Sequence, residues 1–595
     1  MSVRHPDLTS KRTTQQGDIV GFSFNEKTHA WWGVPFAEPP IGNLRWRAPQ
    51  KHKNWDGIKE CVNFGAMATQ LKSFMTLSPP QQWNKPTGTE DCLSLNIFAP
   101  KQKAEKPLPV MVWIHGGGNT SGASSMYPIA GNLPEHGNVI VVSVNYRLGV
   151  FGWFYHPALF DENCSAEDKS GNYGTLDLIQ ALKWVRENIA QFGGDENNVT
   201  IFGESAGGQN VLSLYTSPLA KGLFHKAIAQ SPIALTSSLE QGYYFHDQHP
   251  EGGKGNSIDV IAKLLIADGK AKDKSDAVAQ IKKLSPEEIR NYLYQKPAHQ
   301  IVSTFNGGSS GIYESPRLFQ DGTVLPSTEM LNAFADADHI GKVPLIIGTN
   351  RDELKLFMAM NPTYVRMAFG KVPIMRNPKR YELDANYFSD LWKASGVDEP
   401  MHRLYQTGNK NIFVYRFDWD EIPPIPVLRP DILIGAAHAM EISFVFRDIP
   451  GKFNVMGTFT KLNQKSRVWL TKIMSQYWIN FAHSGNPNSN GLPEWKPWQP
   501  SANTFQGKNT LILDAENSGG VRMDTTDSSY EAMKKRLRTD KRLLKNAKER
   551  CRLYAQLFLF PGIAHASGSQ EEYEQFGENG VAPVPAKTFK TGSWL

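Results

Sequence analysis

The stretch "NVTIFGESAGGQNVLSLYTSP", residues 198–218, sets one serine, Ser205, between two glycines where one hydrophobic pattern gives way to another. Val199, Thr200, Ile201 and Phe202 make a short β-branched and aromatic run of the kind that fills a strand buried on both faces. Val211, Leu214 and Tyr215 then recur at helical spacing until Pro218. A strand running into G-x-S-x-G and a helix leaving it lifts a serine hydroxyl above a sheet and gathers backbone N–H groups beneath it. The pattern is short, and it recurs at Gly307–Gly311 around Ser309, but there it lies among Gly, Ser and Asn with Pro316 close behind, which reads as a loop. Ser205 is the expected nucleophile.

A serine hydroxyl needs a histidine to take its proton and a carboxylate to hold that histidine, and in a hydrolase sheet the chain order is Ser, acid, His. His438, in the small-residue turn of "LIGAAHAMEISFVF", has the best setting, against the plainer reading of a surface histidine paired with Glu441. His225, His246, His249, His299, His339, His402 and His565 have weaker ones. The acid belongs at the end of a strand, and "VPLIIGTNRDELKLF" offers Asp352 and Glu353 without a local reason to choose. In "VMVWIHGGGNTSG" a strand opens into Gly116, Gly117 and Gly118, residues able to turn successive N–H groups toward one point as donors to an oxyanion. Ala206, first in the helix after the serine, adds another donor.

The 595 residues suffice for a large core, and strand-like runs recur from residue 18 to 515 with helical stretches between, so the expected architecture is one large α/β unit. The net charge of +6 is concentrated in residues 534–552, which hold ten basic and two acidic side chains. There Met533, Leu537, Leu544, Ala547, Cys551, Tyr554 and Phe558 fall at helical spacing. We read an amphipathic helix with its apolar side on the body and its charges solvated, and no nucleic-acid partner. No apolar run is long enough to span a membrane. Residues 1–18 carry no apolar core of a signal peptide or anchor, which fits a cytoplasmic chain, or a secreted or periplasmic one that has lost a leader. Cys61, Cys92, Cys164 and Cys551 lack the paired spacing of a zinc site, and no metal is expected.

Taken together the blocks resemble the type-B carboxylesterases, the carboxylesterase- and cholinesterase-like α/β-hydrolases, over most of the chain. They are "GVPFAEPPIGNLRWRAP" (33–49), "EDCLSLNIFAP" (90–100), "VMVWIHGGG" (110–118), "VVSVNYRLGVFGW" (141–153), the run 171–208, "LIIGTNRDE" (345–353) and "GAAHAMEISFVF" (435–446). The "GTNRDE" form looks most like microbial members. The resemblance implies a central, mostly parallel twisted sheet flanked by helices, with helical and loop insertions over the site, in a domain spanning 1–562; residues 563–595 have no counterpart in it and read from their composition as a polar, flexible tail. It implies Ser205, Glu353 and His438 as the triad and Gly117, Gly118 and Ala206 as the oxyanion donors. It further implies a disulfide between Cys61 and Cys92, and structural ion pairs Arg45–Glu90 and Arg147–Asp177 that tie the sheet's edge.

The chain departs from the family pattern at several positions. Asn119 stands where an aromatic or small apolar residue is usual beside the oxyanion hole, which makes it a candidate substrate contact. Leu354 replaces the usual glycine after the acid, and Cys164 and Cys551 do not match the family's later disulfides. Trp83 resembles the cholinesterase tryptophan that faces a quaternary ammonium, a second candidate substrate contact. The expected function is cofactor-free hydrolysis of a small carboxylic ester through an acyl-enzyme. The alternatives are a choline-ester hydrolase, an amidase of the same fold, or a non-catalytic binding relative.

Overall fold

The protein is described by a computed structural model, which covers residues 4–244, 255–315, 318–336, 342–368, 372–426, 428–454, 457–500, 507–564, 566–578 and 580–590. His246, His249, His339 and His565 lie outside the described residues, as does part of the expected tail. The chain forms two compact units: Met1–Ile228 with Thr236–Val343 and Ala482–Ser484, and Ala229–Leu235 with Pro344–Phe481 and Gly485–Leu595. Among the described residues no helix is long and apolar enough to cross a membrane.

In the first unit six strands, β1 (Phe22–Ser23), β2 (Thr28–Pro35), β3 (Ser94–Pro100), β4 (Leu108–Ile114), β5 (Ile140–Val144) and β6 (Gly194–Glu204), lie in the order β6-β4-β5-β3-β2-β1. β4 is paired in parallel on both sides. All seven of its residues are buried, which is why its sequence is apolar without alternation. The register sets Gly203 of β6 opposite Ile114 of β4, so the glycine turn after β4 and the serine after β6 leave the same edge as neighbours. The helix α1 (Ala206–Thr216) that follows is buried along its whole length.

Four short helices, Ser257–Ala267, Lys274–Ile281, Pro286–Gln295 and Ala298–Val302, share a core with Trp46, Phe151, Phe154 and Tyr173. The first three begin at side-chain caps, from Asn256, Asp273 and Ser285. Both expected ion pairs are present. Arg147 grips Asp177 through Nε and Nη2 at 2.8 and 2.7 Å. Arg45 holds Glu90 at 2.6 and 2.5 Å, and its remaining nitrogen donates to the carbonyls of Leu293 and Lys296, closing the end of the helix Pro286–Gln295.

The expected disulfide is corrected: Cys61 and Cys92 are free, buried thiols. Cys61 is fixed by main-chain bonds to Val20 and Trp32, whereas Cys92 lies in the field of Asp177 and Arg147. The two thiols have different surroundings, and spacing along the chain says nothing of whether two Cβ atoms face each other. Short pairing of Gln70–Leu71 with Pro86–Thr87 closes the loop instead. Burial pushes the Cys61 thiol up to about 12 and the Cys92 thiol in the same direction, so both stay protonated.

The strand β7 (Lys226–Gln230) carries the chain out of the first unit. In the second unit β8 (Leu345–Asn350), β9 (Ile412–Phe417), β10 (Thr510–Leu513) and β11 (Arg522–Asp524) follow in that order, the first three parallel and the last antiparallel. The basic segment is two helices, Tyr530–Thr539 and Ala547–Tyr554, where one was expected. Asp540 turns to extended backbone after the first, and Asn546 caps the second by accepting from the Glu549 N–H. Met533, Leu537, Cys551, Tyr554 and Phe558 are buried as the spacing predicts, but Leu544, in the break, is 53% exposed. Two of the charges are buried as well: Lys534 pairs with Glu572, and Arg552 with Asp384 and Glu549. In the segment read as a polar tail lies the helix Gln570–Gln575, with Tyr573 and Phe576 packed against Tyr554.

Candidate active site

Ser205 sits at the tip of the turn between β6 and α1 with φ 61° and ψ −123°, a conformation that side chains rarely adopt. The flanking glycines make the turn possible. A Cβ on Gly207 would lie 2.0 Å from the Ile114 carbonyl oxygen, and one on Gly203 would lie 2.6 Å from the same atom and from the Gly207 backbone. The helix start can press against β4 only because neither residue has a side chain. Ser309 lies in an exposed-edge turn held by Phe74 and Asn84, as its composition predicts.

Across the edge from Ser205, Gly117 and Gly118 have φ 112° and 63°. Thr120 and Ser121 both donate main-chain N–H groups to the Gly117 carbonyl, which fixes the turn. The N–H groups of Gly117 and Gly118 donate to no protein group among the described residues. The Gly116 carbonyl accepts from His115 Nδ1 at 2.8 Å, which places the ring proton on that nitrogen. Burial pushes the His115 imidazole down to about 4, so it stays neutral. Asn119, next in the turn, is left-handed at φ 59° and buried, and its Oδ1 accepts from Asn210 Nδ2 of α1 at 2.9 Å. Trp83 is half-buried, its indole N–H donating to the Ser78 carbonyl at 2.9 Å.

In the second unit Asp352 and Glu353 have different partners. Glu353 is fully buried, and its Oε2 accepts from His438 Nδ1 at 2.5 Å. Its Oε1 accepts from the Asn350 N–H and the Ser231 hydroxyl, each at 2.6 Å. A carboxylate only accepts, so the His438 proton lies on Nδ1 and Nε2 keeps its lone pair. Asp352 instead meets Arg351, Lys355 and the Ala436 N–H. Burial would raise its pKa, but Arg351 and Lys355 outweigh that and hold it below the usual carboxylate range. Leu354 points into the core and is 1% exposed.

The alternative pairing of His438 with Glu441 is not formed. Glu441 accepts from Gln230 and Asn350 at 3.0 and 2.7 Å, and burial with the nearby charge of Glu353 raises its pKa. The His438 ring packs on Trp392 and Phe357, with centroids at 4.8 and 5.3 Å. Trp392 is itself anchored by its indole N–H to the Ser231 carbonyl. Ser231, Asn350, Glu441 and Trp392 were missed as site residues. Asn350 lay inside the quoted "GTNRDE" block, and Ser231 follows directly on the end of β7, so position after a strand was the available signal.

The Carboxylesterase family pattern matches residues 9–377 and 376–531. The chain is 34% identical over 522 residues to the para-nitrobenzyl esterase of Bacillus subtilis (strain 168), covering 85% of this chain and 94% of that protein. It is 33% identical over 511 residues to the cocaine esterase of Homo sapiens, covering 81% and 85%. Among solved structures, a PNB esterase superposes with a TM-score of 0.63 at 29% identity over 87% of this chain and 97% of that one. A Geobacillus stearothermophilus carboxylesterase gives 0.63 at 27% identity over 85% and 96%. The chain therefore belongs to the carboxylesterase family, has its α/β-hydrolase fold, and is a carboxylic ester hydrolase.

Proposed function

We propose that the chain cleaves carboxylic esters of small molecules through an acyl-enzyme carried on Ser205. The Ser205 oxygen attacks the ester carbonyl carbon while His438 Nε2 takes its proton. The carbonyl oxygen, now an anion, accepts from the N–H groups of Gly117, Gly118 and Ala206. The carbon–alkoxy bond then breaks, and the alcohol leaves with the proton from His438. A water molecule repeats the attack on the acyl-enzyme, the same nitrogen takes and returns a proton, and the acid departs. Glu353 holds the imidazole in the required tautomer and stabilises its cationic form. On this reading residues 1–562 act as one catalytic domain, and no cofactor takes part.

The observation that carries the reading is the Glu353–His438 bond, which leaves Nε2 of a buried imidazole as the basic atom. The strained serine turn and the two N–H groups ahead of it support the same chemistry. The test uses para-nitrobenzyl and p-nitrophenyl esters with a fluorophosphonate probe. Wild-type protein is labelled on Ser205 and turns over the esters, and Ser205→Ala, still folded, does neither. Unchanged turnover by that variant would falsify the assignment.

A further inference from the structure

We propose that Asn119 is a positioning residue, locking the glycine turn onto the helix that begins at Ala206. The inference rests on the reading of Gly117, Gly118 and Ala206 as oxyanion donors. Two of those donors lie on the turn after β4 and the third on α1, so an oxyanion site depends on the spacing between two separate segments. Asn210 is four residues beyond Ala206, one helical turn on and on nearly the same face. Its Nδ2 donates to Asn119 Oδ1 at 2.9 Å, between two buried residues. The Asn119 carbonyl is also committed, accepting from the Gly149 N–H at 2.6 Å. Asn119 thus ties the turn to the start of the short helix Gly149–Gly152 by its main chain and to the helix at Ala206 by its side chain. Its left-handed backbone, at φ 59°, is one that asparagine tolerates better than most residues.

The test is a double-mutant cycle on the full-length enzyme with a p-nitrophenyl ester, rates being normalised to sites titrated to completion with a fluorophosphonate. Asn119→Gly removes the amide and keeps the left-handed backbone free of strain, and Asn210→Ala removes the same bond from the other end. Each single variant is expected to lower kcat about tenfold or more while KM stays within about threefold, because only the anionic state uses the donors. The inhibition constant of a trifluoromethyl ketone should rise in step with the fall in kcat. The double variant should be no slower than the slower single within about twofold. Multiplying effects, an unchanged kcat, or a raised KM at constant kcat would each overturn the proposal, the last marking Asn119 as a substrate contact. If Asn210→Ala does not fold, Asn119→Gly and the inhibitor series decide alone. Retained turnover in Ser205→Ala would mean that the serine reading itself has failed. A dead Ser205→Ala with independent Asn119 and Asn210 effects would remove this proposal only.

Discussion

The surroundings of Ser205 and those of Glu353 each hold a side chain against its preferences, by different physics. Around Ser205 the geometry is stored in the main chain: a positive φ, glycines at which a Cβ would come within 2.0 and 2.6 Å of a neighbouring carbonyl oxygen, and a turn pinned by its own amides. Around Glu353 it is stored in charge and hydrogen bonding, with a fully buried carboxylate given three donors and a second buried carboxyl, Glu441, satisfied by two amides. One region fails when atoms are added, the other when a proton or a charge is removed.

Single substitutions separate the two. The largest effect is expected from Glu353→Gln, which keeps the shape but not the charge: on the proposed mechanism kcat falls about 10³- to 10⁴-fold with little change in melting temperature. Asp352→Asn, one residue away, should do the reverse, weakening the hydrogen bonds to Arg351, Lys355 and the Ala436 N–H while the two cations keep Asp420 and Glu382, and costing about 1 to 3 kcal/mol by urea unfolding. If the two variants lose rate equally, the division of labour between these neighbours is wrong. On the main-chain side, Gly207→Ala should cost about 3 kcal/mol or more, since its Cβ meets backbone that cannot swing aside; a stable variant would refute the steric account.

A smaller effect concerns pH. Burial lowers the imidazoles of His115 and His156 to about 4, so below pH ~6.5 the unfolded chain binds protons that the folded chain refuses. Stability is therefore full above pH ~6.5 and falls as pH drops toward about 4, with a limiting slope of about 1.4 kcal/mol per pH unit for each group. Urea midpoints measured across that window should show a shallower slope in His156→Gln than in the parent, and parallel slopes would remove His156 from the account. The smallest effect has the opposite sign. Ser205→Gly should abolish turnover yet gain about 1 kcal/mol of stability by relieving the positive φ, and a loss of stability would show that the turn is unstrained.

What could be read without coordinates was whatever neighbours in sequence decide. The strand, turn and helix at 198–218 are local, and they form as the pattern indicates. What distinguishes Glu353 from Asp352 is not local, because the partners Ser231 and His438 lie 122 and 85 positions away from Glu353. The cysteines misled for the same reason: a pair at a familiar spacing carries no information about which way each Cβ points. The helical periodicity over 533–558 was genuine, but a period cannot register the extended Asp540 and the Asn546 cap that divide it. Tyr573 and Phe576 lie in a mainly polar stretch and find their partner in Tyr554, which composition alone could not supply.

The clamp formed by Arg45 has a consequence for biosynthesis. Its bond to the Lys296 carbonyl joins residues 251 positions apart. At a ribosomal pace of roughly 5 to 20 residues per second, that partner emerges on the order of tens of seconds after the guanidinium does. Through that interval the early segment must wait, half assembled, within reach of chaperones. Nascent chains arrested before residue 296 should accordingly be cut faster by protease around residue 45 than chains arrested well beyond it.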